Sequence, residues 1–160
     1  MARLSAPLIL ACATLLGACM MPPPASEKAT DAARELNVAA RFGRIDIAAG
    51  LAASAEREAF IRRRATWGGD IRVVDVELGG LSMPDSSHAV FQVDYAWMRM
   101  DEDTLRSTRI AQKWSSTKGG WALESEKRVA GDVGLFGERV DVMRPPQHDT
   151  QFATKVIRED

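Results

Sequence analysis

Residues 89–100 read AVFQVDYAWMRM, and this stretch decides the fold. The odd positions from 91 to 97 are Phe, Val, Tyr and Trp, whereas Gln92 and Asp94 stand between them. Alternation with a period of two is typical of a β-strand that buries one of its faces. The stretch therefore predicts a strand with one aromatic, buried face.

The same period recurs in three neighbouring stretches, and turn residues separate them. We predict strands over residues 71–78, 89–100, 104–116 and 121–129. A two-residue loop at 102–103 places Phe91 opposite Trp114 and Tyr95 opposite Ile110. A loop that is one residue longer would turn Arg109 and Lys113 toward the aromatic face, so we expect the shorter loop.

This register collects the large apolar side chains on one side of the sheet, which we call the aromatic face. It comprises Phe91, Val93, Tyr95, Trp97, Ile110, Trp114, Trp121 and Leu123. The opposite face is expected to carry solvated charges, namely Asp94, Arg109, Lys113, Glu124 and Glu126.

Polar groups among these aromatics suggest a ligand pocket, whose candidate residues are Tyr95, Trp97, Gln112, Trp114 and Trp121. Thr108 and Arg106 would add polar atoms to it. Such a lining suits an apolar ligand that makes a few hydrogen bonds. In the alternative interpretation, the same aromatic side chains are simply the core.

Three helices are predicted ahead of the sheet, over residues 27–42, 46–53 and 55–64. The first has a stripe of alanines that suits close packing on the aromatic face. Ser26 or Thr30, then Asp46, and then Ser54 are the expected N-caps. The triple arginine at 62–64 is expected to be solvated charge at a helix end, and a phosphate or lipid headgroup contact is the alternative.

Helices followed by a curved antiparallel sheet resemble the nuclear-transport-factor-two-like group of cystatin-like folds. The stretches Gln112-Lys113-Trp114 and Gly119-Gly120-Trp121-Ala122-Leu123 are similar to the last hairpin of such domains. The resemblance covers roughly residues 28–129. It implies an α+β fold in which N-terminal helices pack on a sheet of about four strands to form a cone.

This group includes isomerases and dehydratases that place an aspartate or histidine base and a tyrosine inside the cone. The resemblance therefore implies a rival, enzymatic interpretation, for which Asp46 is the least unsuitable base. Asp94 must point away from its neighbour Tyr95. We predict no catalytic set, no metal site and no cofactor, since His88 and His148 each stand alone in loop-like surroundings.

The N-terminus resembles a bacterial lipoprotein signal. Arg3 precedes an apolar run that is too short to span a bilayer, and Leu16-Gly17-Ala18-Cys19 follows it like a lipobox. We predict a signal peptide over 1–18, lipidation of Cys19, and a proline-rich tether over 19–27. An ordinary secretory signal with a chance cysteine is the alternative. The resemblance, with Met20 rather than aspartate after the cysteine, implies delivery to the outer membrane, facing the periplasm.

Residues 28–129 would then form the domain, and residues 130–160 a C-terminal arm that packs on it. The part of the arm after Pro145 either docks on its own domain or adds as a strand to a partner. A net charge of −1 argues against nucleic-acid binding.

Together these features predict a lipid-anchored, non-catalytic envelope accessory or binding module. Its partner is an envelope protein or a small apolar ligand, and a homodimer through the sheet face or the arm is a further option.

Overall fold

The computed structural model of the protein describes residues 22–138. Its helices are α1 (Ala25–Arg41), α2 (Ile45–Gly50) and α3 (Ser54–Arg63). Its strands are β1 (Ile71–Asp85), β2 (His88–Arg99), β3 (Leu105–Thr117) and β4 (Gly120–Gly131), and they form one antiparallel sheet in sequential order. The predicted α+β class and the helices-first order are confirmed. The predicted signal peptide, Cys19 and the arm after residue 138 lie outside the described residues.

The first helix forms because small apolar residues recur at helical spacing on one side. Ala29, Ala33, Leu36 and Ala40 are all fully buried. Their small size allows α1 to approach the sheet closely. Within residues 22–138, no helix combines the length and the apolar character that crossing a bilayer requires.

The predicted N-caps are wrong. The helix α1 starts at Ala25 after an extended Pro24, whose carbonyl accepts the backbone N–H groups of Glu27 and Lys28 at 3.1 and 3.2 Å. Ser26 therefore lies inside the helix, where its carbonyl accepts the Thr30 hydroxyl at 2.8 Å.

Asp46 and Ser54 also lie inside their helices, and neither α2 nor α3 has a side-chain cap. Arg44 and Ala53 occupy the two capping positions instead.

The first strand is longer than predicted, because Gly79 and Gly80 do not end it. The pairing shifts between Leu78 and Leu81, so the glycines form an irregularity inside a continuing strand. A methyl group on Gly79 would lie 3.1 Å from the carbonyl oxygen of Gln92, which shows how closely the two backbones approach there. The turn comes later, after Asp85, which pairs with His88.

The predicted pairing of β2 with β3 is wrong by two residues. Phe91 lies opposite Gln112 and Tyr95 opposite Thr108, because the connecting loop is longer than two residues. Arg99, the last residue of β2, binds Asp101 of that loop at 3.0 Å. Because the pairing is shifted by an even number of residues, every side chain of β2 and β3 stays on its predicted face of the sheet.

On the outer face, this two-residue shift places Asp94 directly opposite Arg109, whereas the predicted pairing placed it diagonally between Arg109 and Lys113. The two form a two-point ion pair with distances of 2.7 and 2.8 Å.

The predicted outward position of Glu126 is also wrong. Trp114 lies opposite Leu123, but its neighbour Lys113 lies opposite Ser125, so Glu124 is an extra residue in β4. One extra residue reverses which face the following side chains occupy. The Glu126 side chain consequently points to the aromatic face and is fully buried.

The core lies between the helices and the aromatic face, a space that we call the cone. Residues 132–138 follow β4, and Leu135 among them is 1% exposed. The indole N–H of Trp67 donates to the Leu135 carbonyl at 2.7 Å. This bond holds the chain that leaves β4 against the segment that follows α3.

Candidate functional site

The five residues predicted to line a pocket are all buried. Tyr95, Trp97 and Gln112 are 0% exposed, Trp114 is 1% exposed and Trp121 is 7% exposed. The structure brings them together on the aromatic face beneath α1. Their side chains pack against the helices and against one another, so the aromatic face forms the protein core.

A polar cluster lies at the centre of this core, and it is built on Asn37 of α1. The Asn37 side-chain amide donates to Gln112 Oε1 at 2.9 Å and to the Ala33 carbonyl at 2.8 Å. Its oxygen accepts Gln112 Nε2 at 3.0 Å and also the Tyr95 hydroxyl. Both hydrogens and the oxygen of the Asn37 amide are therefore bonded inside the protein.

The other polar residues expected on this face are also engaged. The indole N–H of Trp97 donates to the Thr108 hydroxyl at 2.8 Å, and that hydroxyl donates to the Asp132 carbonyl at 2.8 Å. The Arg106 guanidinium lies 5.5 Å from the centre of the Trp97 ring and binds Glu102. These contacts engage the Trp97 indole and the Thr108 hydroxyl inside the protein, while Arg106 Nε is buried with no partner among residues 22–138.

A buried ion pair occupies the space beside Gln112. Arg64 directly follows α3 and binds Glu126 through both of its terminal nitrogens, one of them at 2.7 Å. Both side chains are fully buried. The prediction that Arg64 is solvated charge at a helix end is therefore wrong.

Aromatic rings surround the Arg64 guanidinium. Its central carbon lies 3.6 Å from the centre of the Phe60 ring, 4.8 Å from that of Trp67 and 5.4 Å from that of Phe136. A guanidinium over aromatic faces gains cation–π attraction that strengthens when water is excluded.

Charges around this pair are balanced. Arg63 also reaches Glu126, at 3.0 Å, and binds Glu56, so two arginines face two carboxylates. Burial alone would lower the pKa of Arg64 and raise the pKa of Glu126. Their attraction and hydrogen bonds outweigh burial, so the pKa of Arg64 is raised and the pKa of Glu126 is lowered.

Tyr95 is held in its neutral form by the same surroundings. Burial raises the pKa of its phenol to about 12, although the nearby Arg64 charge acts in the opposite direction. A neutral phenol with its hydrogen already donated to Asn37 is not available as a base.

Asp46, the candidate base of the enzymatic interpretation, is exposed on α2. His88 sits at the β1–β2 turn, where it contacts the Asp85 carboxylate at 2.9 Å. Within residues 22–138, no three histidine, cysteine, aspartate or glutamate side chains converge as a metal site. Cys19 and His148 lie outside that range.

A concavity of about 350 Å³ lies elsewhere, at the end of α1. We call it the α1 groove, and residues 40–43, 67–68 and 72–74 line it. None of the five predicted pocket residues contributes to this lining.

Comparison with known proteins gives a structural similarity. No family model and no curated protein matches the sequence. Among solved structures, the chain is similar to an NTF2-like protein from Cytophaga hutchinsonii, at 14% identity and a TM-score of 0.49, over 63% of this chain and 93% of that chain.

Sequence reasoning missed the three residues that organise the core, namely Asn37, Arg64 and Glu126. For Asn37 a signal exists, because it follows Ala33 by four residues and so lies on the alanine stripe. A polar residue on an apolar stripe needs buried partners. Glu126 gave no such signal, because its position depends on the extra residue in β4.

Proposed function

We propose that the protein is a lipid-anchored, non-catalytic accessory module of the bacterial envelope that binds a protein partner through its outer surface. The filled cone is the observation that carries this proposal. Tyr95 and Gln112, the polar residues expected to meet a ligand, are bonded to Asn37 instead.

A ligand in the cone would have to displace these bonds. Pockets for small molecules usually offer a preformed space of about 300–1,000 Å³ with polar groups free to bind. Here the Asn37 and Gln112 amides and the Tyr95 hydroxyl are already paired in the core, whereas the Trp114 indole N–H is buried with no partner among residues 22–138. Breaking them would leave buried donors and acceptors without partners, at about 1–3 kcal/mol each.

The enzymatic interpretation meets the same difficulty. Proton abstraction needs an acceptor near the substrate. The carboxylate that does reach the aromatic face, Glu126, is held by Arg63 and Arg64, and its pKa is lowered. The outward carboxylate of Asp94 is paired with Arg109.

The outer surface offers a contact region at one corner of the sheet. We call it the hairpin corner, and it comprises Met98, Met100 and Leu105. Met98 pairs with Leu105 across β2 and β3, and Met100 and Leu105 are 61% and 65% exposed. Clustered exposed apolar side chains mark interaction surfaces, and methionine adapts its shape to a partner.

The anchor is tested by replacing its cysteine. Several acyl chains on Cys19 would hold the domain stably at a bilayer, since each buried methylene adds about 0.8 kcal/mol. We expect Cys19→Ala to move the protein from the membrane fraction to the soluble fraction. Continued membrane association of the variant would contradict the lipobox interpretation.

The partner is tested by a photoreactive residue at Leu105 in living cells. We expect an adduct of one discrete mass, and no adduct from the same residue at Lys118, an exposed position in the β3–β4 turn. An adduct of twice the chain's mass would identify the partner as a second copy. Equal labelling from both positions, or no adduct from Leu105, would contradict the hairpin corner as the contact region.

A further inference from the structure

The α1 groove contains an exposed aromatic side chain that the fold itself does not use. Phe42 is 68% exposed and lines the groove, and the Arg41 guanidinium lies 5.4 Å from the centre of its ring. Val74 on the facing strand is 38% exposed. Large apolar side chains beside a concavity are the features of a surface that receives another chain segment.

The described chain ends near the segment that leads into this groove. Gly137 lies against Thr66, since a methyl group on Gly137 would be 3.7 Å from the Thr66 hydroxyl oxygen. Thr66 directly precedes Trp67, which lines the groove. Trp67 also donates to the Leu135 carbonyl, which fixes the position of the last described residues.

The residues that follow in the sequence have an alternation of apolar side chains and an extended length that match the groove. Residues 139–143 read RVDVM, so Val140 and Val142 alternate with charged residues. Five extended residues span about 17 Å at roughly 3.3 Å each. A groove of about 350 Å³ has the volume of about twelve waters and so accommodates both valine side chains.

The charge of the groove also complements that of this segment. Arg72 lines the groove and is exposed, and within residues 22–138 no carboxylate lies within 4.0 Å of it. Asp141 stands between the two valines, so in an extended segment it points away from the groove floor and toward the rim.

From these observations we propose that residues 139–143 dock in the α1 groove as an extended segment of the same chain. Val140 and Val142 pack on Phe42 and Val74, and Asp141 pairs with Arg72. This inference is independent of the lipid anchor and of the partner at the hairpin corner.

Photocrosslinking within the full chain tests the inference. With benzoylphenylalanine at position 142, we expect intramolecular crosslinks to residues 40–43 or 72–74, mapped by mass spectrometry of the digested monomer. Phe42→Asp is expected to lower their yield at least fivefold. Val38→Asp is the matched control, because Val38 is 41% exposed on α1, four residues before Phe42, and does not line the groove.

A charge reversal adds a second readout. We expect Arg72→Glu to lower the yield about two- to fivefold, as the loss of an exposed ion pair allows, and Asp141→Arg to restore it. Circular dichroism verifies that each variant is folded.

The proposal is overturned if the crosslinks map outside the groove or do not form. It is also overturned if Phe42→Asp and Val38→Asp act equally, or if the crosslinks join two chains, which would assign the groove to a second copy.

Discussion

The Arg64 guanidinium and the Glu126 carboxylate form a buried two-point ion pair, although 62 residues separate them in the chain. The pair joins the residue after α3 to the bulged strand β4 and so ties the helices to the sheet. A buried pair contributes only when its other hydrogen bonds are also satisfied. Here Arg63 and Gln112 supply such bonds to Glu126, at 3.0 and 3.4 Å, while Arg64 Nε has no partner among residues 22–138.

Removing the charge of Glu126 should strongly destabilise the protein. Glu126→Gln keeps the shape of the side chain but leaves Arg64 buried without a full counter-charge, which costs about 3–5 kcal/mol. Urea unfolding followed by circular dichroism measures the free energy. Glu124→Gln, at the exposed neighbouring position, should change it by no more than about 0.5 kcal/mol. Equal effects of the two substitutions would show that the pair contributes nothing.

The same ion pair should make the stability of the folded protein depend on pH in the acidic range. Although burial opposes ionisation, Arg64 holds the pKa of Glu126 below its ordinary value of 4.5. The unfolded chain therefore takes up this proton first, so the contribution is complete above the unfolded pKa and is lost as the pH falls through the folded pKa. We expect unfolding midpoints to decrease in acid more steeply in the native protein than in Glu126→Gln. Parallel pH profiles would contradict this assignment.

Asn37 and Tyr95 should be energetically coupled. Asn37→Ala leaves the Tyr95 hydroxyl and part of the Gln112 amide without partners, at about 1–3 kcal/mol for each group. Tyr95→Phe should therefore cost less in the Asn37→Ala background than in the native protein. A double-mutant cycle of unfolding free energies should give a coupling of about 1 kcal/mol. Strict additivity would mean that the hydrogen bond does not stabilise the core.

Gly131 should not tolerate a side chain. Its φ is +82°, and a methyl group there would lie 2.2 Å from the Ser107 carbonyl oxygen, which is backbone and cannot rotate away. We expect Gly131→Ala to cost about 2 kcal/mol or more. Gly80→Ala is the control, since nothing lies within 4 Å of a methyl group there, and its φ is not in the left-handed region. A tolerated Gly131→Ala would contradict the close approach of β4 to β3.

The aromatic face was predicted correctly from the sequence, because an error of two residues in strand pairing leaves each side chain on the same face of the sheet. The pairing of Phe91 was wrong by two positions, yet its side chain stayed on the predicted face. The predicted lengths of β1 and of the β2–β3 loop were wrong because Gly79 and Gly80 lie inside β1 and because the pairing of β2 with β3 ends at Met98 and Leu105.

The filled state of the cone could not be read from the same pattern. It depends on one extra residue, Glu124, which turns Glu126 inward, and on Arg64 following α3 into the core. Neither local propensity nor alternation encodes such an insertion, because it is fixed by contacts between residues distant in sequence.

The titration of Tyr95 tests most directly whether the cone is filled by the protein's own side chains. The chain contains one tyrosine, so the near-ultraviolet absorbance of tyrosinate reports this residue alone. Burial raises its pKa to about 12. We predict an ionisation midpoint of about 12 in the full chain while circular dichroism retains the folded signal. A midpoint near the ordinary value of 10.0, with the fold intact, would show a cone open to water and would contradict the account.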